Sequence, residues 1–244
     1  MGVFSDGLAR EVRLERLRPA QVEEAKARRP AVYVPFGSLE WHGRHNPVGL
    51  DAVKAHEQLV GLAARAGGVV YPAVFLGAGG GHLDYPASYM VRPEPLRQIV
   101  VDLLRGFERD GFQKAILLSG HYPNQDQFLK PAVDEYTDAG GTLRVLSLIE
   151  NQVPGGAGDH AALHETSFML YLHPDLVDAP ALFETPAPDL GGPGEQRNWM
   201  GDAWRDHPNY GLVGIDPRRH ASSAHGQALT GRLLDFLEAW LDRV

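Results

Sequence analysis

The chain has 244 residues, 43% of them hydrophobic, which is enough for a full core and excludes a disordered chain. Its formal charge of −8, without a long basic run, argues against nucleic acid or an anionic membrane as the main partner. With no cysteine there is neither a disulfide framework nor a thiolate metal site, so any metal must be held by His, Asp and Glu.

The opening "MGVFSDGLAREVRLERLRPAQ" lacks the apolar stretch of a signal peptide or membrane span. Asp6 stands where an acylation pattern needs Ser or Thr, so a cytoplasmic protein is expected. "AVYVPFGS" (31–38) predicts a buried strand, and "LDAVKAHEQLVGLAARAGG" (50–68) a helix closed by a glycine pair. "VVYPAVFLG" (69–77) predicts the next strand and 93–112 a helix with proline at its start. A strand over 114–121, a helix over 125–141 with Pro131 inside it, and a strand over 143–149 follow. Helices are expected over 162–177 and 222–244, with a Pro- and Gly-rich loop over 178–217 between them. Strands alternating with helices imply a single α/β domain over 1–244, with a parallel sheet covered on both faces. In such sheets ligands bind beyond the carboxyl ends of the strands.

The candidate donors fall at those ends. Glu40 and His42 follow the first strand in "GSLEWHGRHNPVGLD" (37–51), and Asp51 opens the next helix. Residues two apart on an extended chain share a face roughly 7 Å apart, which suits two neighbouring ions better than one. His121 ends "ILLSGH", after a glycine expected to permit a sharp turn, and His160 and Glu165 flank the start of a later helix. Each has an ordinary reading too. Asp51 could be a helix N-cap, Glu165 a first-turn acid favoured by the helix dipole, and His121 a hydrogen-bonded turn residue. Taken together they suit two divalent ions, zinc, manganese or iron(II), with Asp51 able to bridge them. Such a pair activates a water at neutral pH and polarises a carbonyl, and a nearby His can carry the proton. His82 in "GHLDYPAS" joins the candidates, whereas His45 and His164 are expected in supporting or surface roles. His56, His173, His207, His220 and His225 have no partner motif and are expected to be structural. "GAGGGH" (77–82) lacks the spacing of a dinucleotide-binding loop.

"VPFGSLEWHGRHNPVGLD" resembles the signature of the creatininase (creatinine amidohydrolase) family. "GHLDYPAS", "SGHYPNQ", "HAALHETSFML" and the terminal "GIDPRRHASSAHGQAL" follow in the family's order, from about residue 30 to the end. The resemblance implies a three-layer α/β/α sandwich with a mainly parallel sheet, a dinuclear metal centre and a homo-oligomer, commonly a hexamer. It makes Glu40, Asp51 and His121 ligands of one ion and His42, Asp51 and Glu165 ligands of the other. His160 matches the family's catalytic histidine. His82, Tyr122 and Trp199 are expected at the substrate, with Trp199 and Trp204 able to cover the pocket, from the same or a neighbouring subunit.

Departures qualify the match. Pro123 stands where creatininases carry a glutamate, Gly156 and Ala157 where they carry Trp and Asp, and Gly80 where a serine is usual. The metal scaffold is kept and the creatinine pocket is not. The expected activity is hydrolysis of a cyclic or linear amide in a small polar substrate. Ring opening of an oxidised cyclitol or sugar by C–C hydrolysis is the sister expectation, and a non-catalytic metal- or metabolite-binding protein is the alternative from another class. Specificity is expected to reside in the loops around 152–160 and 178–210.

Overall fold

A computed structural model of the chain describes residues 2–185 and 195–243. Helix α1 (Pro19–Arg28) leads into strand β1 (Ala31–Phe36), followed by α2 (Leu50–Ala66), β2 (Val69–Val70), α3 (Pro93–Arg109) and β3 (Lys114–Ser119). Then come α4 (Lys130–Asp138), β4 (Arg144–Ile149), α5 (Leu163–Leu172), a two-stranded ribbon of β5 (Arg197–Asn198) and β6 (Val213–Gly214), α6 (Pro217–His220) and α7 (Ser223–Asp242).

The four long-range strands form one parallel sheet in the order β2-β1-β3-β4, with Phe36 beside Ser119 and Ser119 beside Ile149. Successive side chains on a strand point to opposite faces, and both faces are covered here. Val32, Val34 and Phe36 of β1 pack with Leu96, Val100 and Leu104 of α3 and Ala132 of α4. Ala31 and Tyr33 pack on the other face with Leu59 and Leu62 of α2 and Leu233 and Leu237 of α7. Double burial explains why these strands are continuous apolar runs rather than alternating ones. The expected α/β/α sandwich is therefore the observed fold, and its strand order reverses between β1 and β3, where a crevice opens beyond the strand ends.

Several elements differ from expectation, each for a local reason. The strand expected over 69–77 is regular only at Val69–Val70: Tyr71 N–H still bonds the Tyr33 carbonyl at 2.8 Å, but Pro35, which faces this edge, has no N–H to continue the ladder, and single bridges Val74–Phe36 and Gly77–Met90 follow. Pro131 does not interrupt its helix. A π-helical turn over Gln125–Leu129 precedes α4 and spares the proline an i→i−4 bond it cannot make. The helix expected to reach 177 stops at Leu172, since Pro174 disfavours helical geometry at His173, and one 3-10 turn (Pro174–Leu176) completes it. Within 178–217 the chain makes a π-helical turn (Pro180–Glu184) and the β5–β6 ribbon rather than a plain loop. Met1, residues 186–194 of that expected loop, and Val244 lie outside the described residues. Among the described residues, no helix is long and apolar enough to cross a membrane.

Candidate metal centre

Beyond Phe36 the chain runs through Gly37 and Ser38 to Glu40 and His42, and beyond Ser119 through Gly120 to His121. The first turn of α2 is pressed between these two exits. A Cβ on Gly37 would lie 2.1 Å from the Ala52 nitrogen, and one on Gly120 would lie 2.2 Å from the Asp51 carbonyl oxygen. The chain does bend at Gly120 and His121, as expected, but the φ of Gly120 is not positive, so the glycine is required there for space. Asp51 is not a helix cap either: Gly49 holds that position, with no side-chain hydrogen bond.

Two donor sets meet at Asp51. On one side, His121 Nδ1 lies 3.3 Å from Asp51 Oδ2 and 2.9 Å from Glu40 Oε2. On the other, His42 Nε2 lies 3.1 Å from Asp51 Oδ1 and 3.6 Å from Glu165 Oε2. Ser38 Oγ donates to Asp51 Oδ2 at 2.7 Å. The outer nitrogens all meet backbone carbonyls. His42 Nδ1–H donates to Glu40 O (3.0 Å), His121 Nε2–H to Gly79 O (3.4 Å) and His82 Nε2–H to Gly211 O (2.8 Å), these tautomers following from the partners. An imidazole tied by its outer N–H to a carbonyl, with its inner nitrogen among carboxylates, is oriented as a metal ligand is.

The charge balance points the same way. Glu40, Asp51 and Glu165 are no more than 2% exposed, yet among the described residues Glu40 and Asp51 form close ion pairs with histidines alone. Burial pulls the His42 and His121 imidazoles down, but the acids around them prevail and carry them up to about 9 and about 10. Burial opposes ionisation of Asp51, while the charge of His42 and hydrogen bonds from His121 and His42 hold it well below the carboxylate range. The acids around both rings thus favour positive charge at His42 and His121. The residues fit divalent ions: Glu40–Asp51–His121 offer donor atoms all within 4.8 Å of one another, and so do His42–His160–Glu165 and Glu40–His82–His160.

His160 lies against both sets. Its ring stacks on His82 with centroids 3.8 Å apart and lies 4.6 Å from His42. Nε2–H donates to the Trp41 carbonyl at 2.7 Å, which leaves Nδ1 to exchange a proton. Burial first, then the charge of His42, keeps the ring far below its ordinary pKa and neutral at pH 7. Its backbone pairs in both directions with Val213 (2.8 and 3.0 Å), so the ribbon widens to include it. The next residue, Ala161, takes φ 54°, a costly conformation for a residue with a Cβ. That turn aims the Ala161 N–H at Glu165 Oε2, 2.7 Å away. Glu165 is thus a first-turn acid of α5, as its ordinary reading holds, while also facing His42.

Sequence reasoning missed two neighbours. Lys54, fully buried on α2, donates to Glu165 Oε1 at 2.7 Å and lies 3.0 Å from Glu150 Oε2. Asp159 accepts the His164 and Glu165 N–H groups at 2.7 and 3.1 Å; burial and then Glu165 push its carboxyl up to about 7. A lysine at position i+3 from Asp51, on the core face of an apolar helix, was the available signal.

A cavity of about 260 Å³ opens on this cluster, lined by Glu40, Asp51, His82, His121, Tyr122 and His160 and floored by Gly80 and Gly81. Larger clefts of about 660 and 450 Å³ lie along the N-terminal segment, away from these donors, so size does not identify the site. The Tyr122 hydroxyl is buried without a partner among the described residues. His82 lines the cavity, but its inner Nδ1 lies 2.9 Å from Glu40 Oε1, so it also holds a donor. Trp199, expected at the substrate, does not line this cavity. It is 2% exposed in a satellite cluster with Ala161, Trp204 and Leu212, stacked on His207 at 4.9 Å, because the ribbon turns it inward. His45 is buried, bonded at 2.9 Å to Thr166 Oγ1. His164 pairs with His225 at 3.0 Å.

The sequence matches the creatininase (creatinine amidohydrolase) family over residues 15–241. The chain is a member of the creatininase family of hydrolases. It is 30% identical over 179 residues to a creatinine amidohydrolase of Pseudomonas putida, covering 63% of this chain and 68% of that one. It is 30% identical over 158 residues to a mycofactocin precursor peptide peptidase of Mycolicibacterium smegmatis, covering 61% and 60%. A third relative, the 3-dehydro-scyllo-inosose hydrolase of Thermotoga maritima, is 29% identical over 102 residues, 41% of this chain and 33% of that one. The chain thus spans less than two thirds of the latter two. Among solved structures, a manganese creatininase superimposes with a TM-score of 0.75 at 22% identity, covering 95% of this chain and 98% of that one. A zinc–zinc form of a creatininase mutant gives 0.73 at 22% identity, covering 96% and 98%.

Proposed function

We propose that the protein is a dinuclear metal-dependent amidohydrolase acting on a small polar substrate. The observation that supports this is Asp51, whose two oxygens each join a separate donor set: Glu40 and His121 on one side, His42 and Glu165 on the other. Two divalent ions held there, zinc, manganese or iron, would lower the pKa of a water and polarise the carbonyl under attack.

The remaining tasks fall to the chain's own residues. Neutral His160 takes a proton at Nδ1 during attack and gives it to the leaving nitrogen, a role that sets it apart from a passive ligand. The Trp41 carbonyl holds the tautomer that makes this possible. The Tyr122 hydroxyl, lacking a partner among the described residues, is free to bond a polar substituent of the substrate. The cavity suits a small molecule better than a polypeptide. Where a creatinine pocket would supply an aromatic face and a carboxylate there are Gly156 and Ala157, and a Cβ on Gly156 would lie 2.4 Å from the Glu150 carbonyl oxygen.

Metal analysis with a screen of amides, lactams and oxidised cyclitols tests the reading. Under half an ion per chain after purification in metal-supplemented buffer sinks the centre. Turnover of oxidised cyclitols alone would move the reaction to C–C hydrolysis. Creatinine should be poor; kcat/KM near 10⁴ M⁻¹s⁻¹ or above, about the lower end of ordinary efficiency, would refute that expectation.

A further inference from the structure

Lys54 has no task in the chemistry above, yet it is fully buried beside it. It follows Asp51 by three residues on α2, so both side chains leave the same face. Its ammonium donates to Glu165 Oε1 at 2.7 Å and lies 3.0 Å from Glu150 Oε2, just past the end of β4. The other oxygen of Glu165, Oε2, accepts the Ala161 N–H at 2.7 Å and faces His42 Nε2 at 3.6 Å. The carboxylate is gripped at both ends, and only Oε2 is turned toward the His42 side. A carboxylate left to rotate can offer a cation one oxygen or both. Stability does not account for the arrangement, because a buried ion cluster is often no more stable than well-packed apolar side chains of the same volume.

We infer that Lys54 is a positioning residue that occupies Glu165 Oε1, so that Glu165 serves the ion on the His42 side through Oε2 alone. The ion facing Glu40, Asp51 and His121 does not depend on it. This rests on the two-ion reading above. The competing account is that Lys54 merely ties α2 to the end of β4 through Glu150.

The test is competitive chelator titration of the metal-free full-length chain with zinc. Wild type should take two ions, and fewer would overturn the two-ion reading and this inference with it. Given two, Lys54→Met should weaken one ion about 10- to 100-fold, the usual effect of removing a partner that orients a ligand, and leave the other unchanged. In a His42→Ala background, which keeps only the other ion, Lys54→Met should change nothing. Glu150→Gln retains a carbonyl oxygen for Lys54 and should bind both ions as wild type does. If Lys54→Met does not fold, Lys54→Met/Glu150→Gln removes the stranded charge and should show the same selective loss. Two wild-type affinities in Lys54→Met, equal weakening of both ions, or the same loss in Glu150→Gln would each overturn the inference.

Discussion

The two ends of the parallel sheet handle charge in opposite ways. At the carboxyl ends, Glu40, His42, Asp51, Lys54, His121 and Glu165 are at most 4% exposed and have mainly one another as partners. At the amino ends, a cleft of about 660 Å³ is edged by Arg10, Arg28, Arg29 and Arg65, whose charges stay near water. There Arg65 reaches Asp235 at 2.6 Å and Glu238 at 2.8 Å, with 39% of the arginine side chain exposed. Exposed pairs of that kind contribute about 0–1 kcal/mol, whereas each buried ion carries a desolvation penalty of several kcal/mol. The larger cleft is the ordinary surface, and the smaller one holds the charges that stability alone would not keep.

The contrast is sharpest at Asp51. Asp51→Ala should lose both ions together and lower activity by on the order of 10³-fold or more, the equivalent of several kcal/mol of lost charge stabilisation. His42→Ala should lose mainly one. Full metal content in Asp51→Ala, measured by elemental analysis, would break the bridging assignment.

His160→Ala should keep its metal while kcat falls by about 10²- to 10⁴-fold. Loss of metal instead would make His160 a ligand, and an unchanged rate would make it a bystander.

Smaller still is an acid effect at His45. Burial first, then the charge of His42, holds its ring down to about 4. Between the unfolded value of roughly 6.5 and that figure, the unfolded chain takes a proton that the folded chain refuses, so stability falls as pH falls across that window. The loss is on the order of 3 kcal/mol at about 1.4 kcal/mol per unit, and is complete below about pH 4. Urea unfolding of chelator-treated protein should show a flatter profile for His45→Gln than for wild type; parallel profiles would remove His45 as the cause.

At the other end, Arg65→Ala should change stability by less than about 1 kcal/mol, and salt should shrink the difference further. A larger loss in thermal unfolding would mean that the amino-end charges are not the ordinary surface they resemble.

The sheet and its helices were legible because doubly buried strands leave continuous apolar runs and the helices keep an apolar face. Glu40, His42, Asp51, His121, His160 and Glu165 were legible because topology sends strand ends to one edge, and the structure brings these six together. The β5–β6 ribbon was not, since strands of two residues have no periodicity to detect. Lys54 was hidden for a related reason: a lysine within a helix usually extends to water, and only the depth of Glu150 and Glu165 shows that this one does not. Trp199 does not line its own chain's cavity, because the ribbon's turn packs it inward, and a Pro- and Gly-rich stretch has no periodicity to show that.

The two glycines at the strand exits have a consequence for how such a protein can diversify. Neither Gly37 nor Gly120 has room for a methyl group against the first turn of α2. Mutation at either position therefore pushes Asp51 away from the sheet, and drift is barred where it would move the shared carboxylate. Gly81, which lines the cavity and whose added Cβ would meet only the flexible end of Met200, at 3.2 Å, carries no such restriction. New substrates can be tried against that wall of the cavity while the separation of the two donor sets is inherited unchanged.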